Sequence, residues 1–313
     1  MSGAVVDLVY DVEHLPAPGE EVESQRNFFT TGGGFNAMVA AKRFGIKVFY
    51  GGSIGTGLFA DVVVRDLQRQ SIGAVLPSRQ LIDQGTCVVL IDKTGERSFI
   101  SHHGAERRID PTELALIDVS RFDWVLLTGY SLFKKESARA FLPWLKSLQR
   151  SPLFLFDPGP TVAHIAPDVL NVALARADWL SANGDEAKII TGFSDPALAS
   201  QSLARTRRGA MVRVGADGCY LSLAGEVAQH ISGFTVDTID TNGAGDAHDG
   251  AFIAGICRGF NPSDAAQLAN VAAALSTTKQ GPAEAPSLEE TQAFLATRGI
   301  ILRPNQAKCA GKT

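Results

Sequence analysis

From Asp123 onward, apolar runs of strand length alternate with amphipathic stretches of helix length, and no other feature of the chain narrows its fold so far. Trp124-Val125-Leu126-Leu127, Leu153-Phe154-Leu155-Phe156 and Met211-Val212-Arg213-Val214 read as strands, while Glu136 to Gln149 and Pro196 to Arg207 read as helices. Such alternation buries both faces of a sheet under helices, so it predicts an α/β fold with a mostly parallel sheet. The region before it differs. Cys87 to Ile91 and Arg97 to Ser101 flank the polar turn Asp92-Lys93-Thr94-Gly95-Glu96, which predicts a hairpin that projects as a lid.

With 313 residues the chain can be one large domain or a domain with an appendage. No repeat, low-complexity tract or linker divides it, so we expect a single domain over 1–302 and a peripheral or disordered tail over 303–313. A net charge of -4 with scattered Lys and Arg gives no electrostatic footprint for nucleic acid or an anionic membrane. Cys87, Cys219, Cys257 and Cys309 lie far apart, which excludes a CxxC pair and suits a reducing cytoplasm. There is no apolar run of about 18 residues and no signal-peptide pattern at Met1 to Asp11, so the expectation is a cytoplasmic protein without a membrane partner.

The chemistry concentrates at Asp240-Thr241-Asn242-Gly243-Ala244-Gly245-Asp246. Gly243, Ala244 and Gly245 allow a ligand close to the backbone, and Phe252 and Ile256, four apart, mark a buried helix behind them. Free N–H groups and the dipole at such a helix start attract the negative charge of a transferring phosphoryl group. Asp246, in the first turn, stands where a carboxylate could take a proton from an attacking hydroxyl. The local chemistry fits a helix cap and a tight turn equally well.

The run from Asp240 to Phe252 resembles the second signature of the PfkB, or ribokinase-like, carbohydrate kinases. The resemblance implies a three-layer α/β/α ribokinase-like fold with a mostly parallel central sheet and a small β lid contributed by about residues 7–34 and 84–106. It also implies ATP as phosphoryl donor, Asp246 as catalytic base and Gly243, Ala244 and Gly245 as the anion hole. Asn242 and His248 depart from the commoner Thr and Phe of that signature, and neither departure touches the base or the glycines. A polar helix residue satisfied by its neighbours is the simpler account of His248.

Gly32-Gly33-Gly34-Phe35-Asn36-Ala37 resembles the family's first signature, which implies that Gly32, Gly33 and Asn36 bind substrate. Asn36 offers both a donor and an acceptor to a hydroxyl. Asp7, twelve residues before Gly19, has the spacing of the family's substrate carboxylate, with Asp11 the neighbour most easily mistaken for it. Asn183-Gly184-Asp185-Glu186 resembles the Asn-x-x-Glu motif, implying a nucleotide contact at Asn183 and a Mg²⁺ contact at Glu186, direct or through water. An ordinary strand-to-helix connection is the competing reading. Gly215 and Gly218 fall in a loop like the family's nucleotide-proximal one, and Asn270 in a helix used near adenine. The resemblance further implies a monovalent cation, K⁺, at Asp240 and the loop near Gly281 to Pro286.

Gly55 to Ala60 and Gly32 to Ala37 fit a loose dinucleotide fingerprint, but neither has the acidic residue about twenty positions on that this site needs. No P-loop is present. Gly57 and Ala60 depart from the family's Gly-x-Asp-x-x-Gly. His102 and His103 at the end of the hairpin lack a third ligand and read as lid contacts. A nucleoside kinase on the same scaffold is the alternative within kinases, with Phe28, Phe29, Phe35 and Phe99 available to a base. A non-catalytic sugar or nucleotide sensor is the alternative outside them. An exposed hairpin edge favours a homodimer through the lid. The family has a full strand before the position of Gly3, where this chain has two residues. We therefore expect lower stability than in a version extended at the N-terminus, and equal thermal midpoints for the two would contradict this.

Overall fold

The computed structural model describes residues 1–149 and 151–305. Strand β1 (Ala4–Val12) pairs antiparallel with β2 (Ser24–Gly33), and the chain then enters a helix at Phe35–Arg43. Two short strands, β3 (Phe49–Tyr50) and β4 (Gly73–Ala74), pair in parallel across the helix Leu58–Arg69. The expected hairpin is β5 (Thr86–Ile91) and β6 (Arg97–His102), its turn closed by Asp92, whose carboxylate accepts from Thr94 N at 2.8 Å and Glu96 N at 3.2 Å. Because β5 also pairs in parallel with β1, four strands in the order β2-β1-β5-β6 form a lid sheet.

The second sheet runs β12-β11-β10-β9-β8-β7, from β7 (Trp124–Thr128), β8 (Leu153–Asp157), β9 (Trp179–Asn183) and β10 (Gly209–Arg213) to β11 (Gly218–Leu223) and β12 (Gln229–Ser232). Strands β7 to β10 are parallel, and the last two add antiparallel. Side chains alternate across it as the two-residue period of a strand requires. Phe154 and Phe156 pack with Phe141 and Trp144 on one face, while Leu155 packs with Trp179, Met211 and Phe252 on the other. Helices over both faces make the three-layer α/β/α architecture.

Boundaries move by a few residues from those read in the sequence. Strand β10 begins at Gly209 and stops at Arg213, and the helix from Pro196 ends at Ala204 because the chain already turns toward β10, with Arg208 N donating to Asp178 O. Met1 lies along the edge of β7, its ammonium donating to Leu126 O at 2.7 Å and its carbonyl accepting from Thr128 N at 3.5 Å. Of the expected tail, residues 306–313 lie outside those described. No helix among the described residues is long and apolar enough to cross a membrane.

The fold places two helix starts side by side. Phe35–Arg43 and Ala244–Cys257 lie against each other, and the latter is almost wholly buried between its neighbours. Its Phe252 is 0% exposed and meets Trp179 edge-on at 5.0 Å between ring centroids. Phe252→Ala should therefore lower unfolding stability by about 3–5 kcal/mol, measured by chemical denaturation, with the cavity left between helix and sheet as the cause.

Candidate active site

Gly243 sits at φ +78°, and a Cβ there would meet Pro282 O at 2.5 Å. The position thus requires glycine both for its backbone and for its space. No side chain among the described residues caps the helix that follows; Ala244 N donates to Thr241 O at 3.3 Å, and the next N–H groups, of Gly245 and Asp246, have no intrahelical partner. Asp246 occupies that first turn, and its Oδ2 accepts from Asn36 Nδ2 at 3.1 Å, joining residues 210 apart. Asn36 is 4% exposed, and its Oδ1 is buried with no partner. That oxygen is an acceptor waiting for a hydroxyl hydrogen.

Asp7 completes the constellation from β1. A Cβ at Gly32 would collide with its carboxylate, which is why the strand opposite carries no side chain at that point. Burial, and then the negative charge of Asp246, push the Asp7 carboxyl up to about 7. Asp246 is likewise pushed up to about 7 by burial, opposed by the Asn36 hydrogen bond and reinforced by Asp157 and Asp249. Two carboxyls so placed titrate as a coupled set.

Beneath the helix start lies a buried cation that the sequence reading did not single out. Arg213, at the end of β10, donates to Asp157 at 3.2 Å, Ser181 Oγ at 2.5 Å and Asp249 Oδ1 at 3.1 Å, with Glu186 3.7 Å away. A Cβ at Gly245 would stand 3.5 Å from the guanidinium, so Arg213 backs directly onto the glycine loop. Burial disfavours its charge, but Asp157, Asp249 and Glu186 more than restore it and raise its pKa. Burial pushes Asp157 up to about 7, and Asp249 adds to this by proximity and by a hydrogen bond. Asp249 follows Asp246 by three residues on one helix face, a spacing that was legible in the sequence.

The remaining residues named from sequence divide by how their polar groups are spent. Asn183 and Glu186 form a capping box: Asn183 Oδ1 accepts from Glu186 N, while the Glu186 carboxylate accepts from Asn183 N at 2.8 Å and Nδ2 at 2.9 Å. Asn270 is 4% exposed, donates to Ile231 O and Ser232 O, and accepts from His248 Nε2 at 3.2 Å. That contact fixes the proton of His248 on Nε2 and leaves Nδ1 buried without a partner, and burial holds the ring down to about 3. Gly215 opens a short turn in free space, whereas Gly218 presses on Ile231 O where β11 begins.

Asp240 is tied on both oxygens. Oδ1 accepts from Arg97 Nη2 at 2.7 Å and Asn242 N at 2.8 Å, and Oδ2 accepts from Gly281 N at 3.2 Å. Arg97 comes from the lid strand β6, so this ion pair joins lid to loop beside a cavity of about 370 Å³ that Asp11, Ile91 and Thr241 also line. By register, Asp7, Phe28, Arg97 and Phe99 share one face of the lid sheet, while Phe29 and Ile100 are on the other. Phe35 is core. The helix at Leu58 is capped by Asp83, which accepts from Phe59 N and Ala60 N and stands against Gly57. His103 packs edge-on against Phe133.

The chain matches the description "pfkB family carbohydrate kinase" over residues 2–289, and it belongs to that family. It is thus a phosphotransferase with an alcohol group as acceptor. It is 27% identical over 296 residues to the uncharacterized sugar kinase YegV of Escherichia coli, covering 93% of this chain and 91% of that one. It is 30% identical over 299 residues to the ATP-dependent ribose-1-phosphate kinase of Halopiger xanaduensis, covering 93% and 95%. Among solved structures, ribokinase from Thermotoga maritima superposes with a TM-score of 0.81 at 26% identity, covering 94% of this chain and 97% of that chain.

For Asp246 to accept a proton it must be ionised, and its raised pKa sets where that happens. Activity should rise with pH through a limb near 7, and Asn36→Ala, which removes the donor that favours the carboxylate, should move that limb upward. Profiles of kcat/KM against pH for the two proteins check both the limb and the direction of its shift.

Proposed function

We propose that the protein transfers the γ-phosphoryl group of MgATP to a primary hydroxyl of a small sugar or sugar derivative. The acceptor oxygen forms a bond to the γ-phosphorus as the bridging P–O bond to ADP breaks, and Asp246 takes the hydroxyl proton. Gly243, Ala244 and Gly245 hold the charge that develops on the transferred oxygens. The observation that carries this reading is Asp246 at an uncapped helix start, held at 3.1 Å by an Asn36 whose other end is free. Asp7 and Asn36 would orient the acceptor, with Gly32 and Gly33 giving it room.

Asp157, Glu186, Asp246 and Asp249 gather around one guanidinium, and this surplus of negative charge favours a nucleotide that arrives with its magnesium ion. Since both Glu186 oxygens are spent within the capping box, Glu186 would reach that ion through water. Gly215, with open space around it, suits a nucleotide contact, while Asn183, Gly218 and Asn270 shape the nucleotide side as scaffold. K⁺ at Asp240 and the loop Gly281 to Pro286 would share its carboxylate with Arg97. A relative named for an ATP-dependent reaction on ribose 1-phosphate supports ATP as donor and a pentose derivative as acceptor. Phe28 and Phe99, on the lid face that carries Asp7, favour a nucleoside as the second reading. Exposed Phe29 and Ile100 on the opposite face suit a homodimer through the lid.

The test is a coupled ATP-consumption screen over hexoses, pentoses, acid sugars and nucleosides. It is run with and without potassium on Asp246→Asn and the parent, with mass in solution measured by light scattering. We expect ATP consumption with at least one acceptor, a fall of about 10²–10⁴-fold in kcat for Asp246→Asn with nucleotide binding retained, and a dimer mass. Wild-type turnover in Asp246→Asn would eliminate the proposed base.

A further inference from the structure

Arg97 leaves the lid sheet to reach a carboxylate 143 residues further along the chain. Its Nη2 meets Asp240 Oδ1 at 2.7 Å, and the two side chains are 21% and 8% exposed, so the pair is largely out of water. By register Asp11, Ile91 and Arg97 form one row across β1, β5 and β6, and Asp11 and Asp92 line the same cavity as Arg97. Neither acid takes the guanidinium. Asp92 is spent on the amides of its own turn, and Asp11 lies 3.5 Å from Arg26. Arg97 instead bridges from the lid to the loop that leads into the helix start.

Asp240 in turn holds the back of the glycine loop. Its backbone is fixed, since Ile239 N and Asp240 N both donate to Thr277 O, at 2.7 Å and 3.0 Å. Its carboxylate gathers donors from three segments: Arg97, Asn242 N at 2.8 Å and Gly281 N at 3.2 Å. Pro282, next to Gly281, places its carbonyl oxygen 2.5 Å from where a Cβ of Gly243 would be. The segment tied to one Asp240 oxygen therefore packs on the first glycine of the anion hole. Removing the cationic donor would leave a buried carboxylate held by two amides, and such a charge repacks its surroundings or turns toward water. The Gly245 and Asp246 amides beyond, without intrahelical partners, serve an anion only while they are aimed at it.

We propose that Arg97 is a positioning residue for phosphoryl transfer, aiming the Gly243 to Gly245 backbone through Asp240 without itself touching the acceptor or the nucleotide. This rests on the phosphotransfer reading and adds a lid residue to its machinery. A residue that acts only on the aim of the anion hole affects the transition state more than the binding of either substrate, so its loss falls on kcat rather than on KM. Because it acts through one carboxylate, its effect also requires that carboxylate to be present.

The experiment is a double-mutant cycle over Arg97→Met and Asp240→Asn in the full chain, with Arg97→Lys as the conservative variant. Potassium is kept at one concentration, because the same carboxylate is the proposed cation site. Turnover is measured with the acceptor that the ATP-consumption screen selects, and amide hydrogen exchange is followed at Asn242, Ala244 and Gly281 without substrates. We expect Arg97→Met to lower kcat by about 10–10²-fold, to change KM for ATP and acceptor by less than about threefold, and to speed exchange at those amides about tenfold or more. Arg97→Lys should recover part of each change. In the Asp240→Asn background, Arg97→Met should alter kcat and exchange by less than about twofold. Parent kcat in Arg97→Met, a loss carried by KM alone, or equal losses in the two backgrounds would overturn the role. A parent that consumes no ATP with any acceptor would count against phosphotransfer. Faster exchange in Arg97→Met that disappears in the Asp240→Asn background would then still support the link from lid to loop, and unchanged exchange would overturn it.

Discussion

Everything at the active site depends on one buried cation. Arg213 is enclosed by Asp157, Glu186 and Asp249, and its charge opposes the burial that pushes Asp157 and Glu186 toward their neutral forms. Removing one partner from such a cluster leaves an uncompensated buried charge, which is more costly than never building the cluster. The arrangement also fixes geometry, because the guanidinium backs onto Gly245 from the end of β10, and so ties the central sheet to the start of the helix that carries Asp246. Asp157 and Arg213, at the ends of β8 and β10, thereby add to the burial and the Asn36 hydrogen bond that act on Asp246.

The lid is bound to this frame by separate contacts. Asp240 draws the lid residue Arg97, the Asn242 amide and the Gly281 amide onto one carboxylate. The loop before Gly243 is thus shaped by groups from three segments. Movement of β6 would change the pairing of a buried acid three residues before Gly243. The position of β6 and the shape of the glycine loop are thus linked through that single side chain.

The parts of this organisation visible in the sequence are those carried by local pattern. Strand runs around Val125, Leu155 and Val212 and the hairpin between Cys87 and Ser101 follow from spacing and turn chemistry, and they appear where expected. The glycine-rich entry to Asp246 was also legible. Arg213, Asp157 and Arg97 were not, because each gains its meaning from residues tens of positions away. An Arg at a strand end is ordinary until the fold gathers three acids around it. Asn270 illustrates the converse, since its helix was placed correctly while its amide is spent on His248 and the carbonyls of β12.

Gly32 carries an implication for how this enzyme can change. Because the Asp7 carboxylate fills the space a side chain would need there, position 32 cannot take a larger residue while Asp7 keeps its place. Evolution at position 32 is thereby tied to position 7 on the neighbouring strand, since a side chain at the first requires a smaller residue at the second.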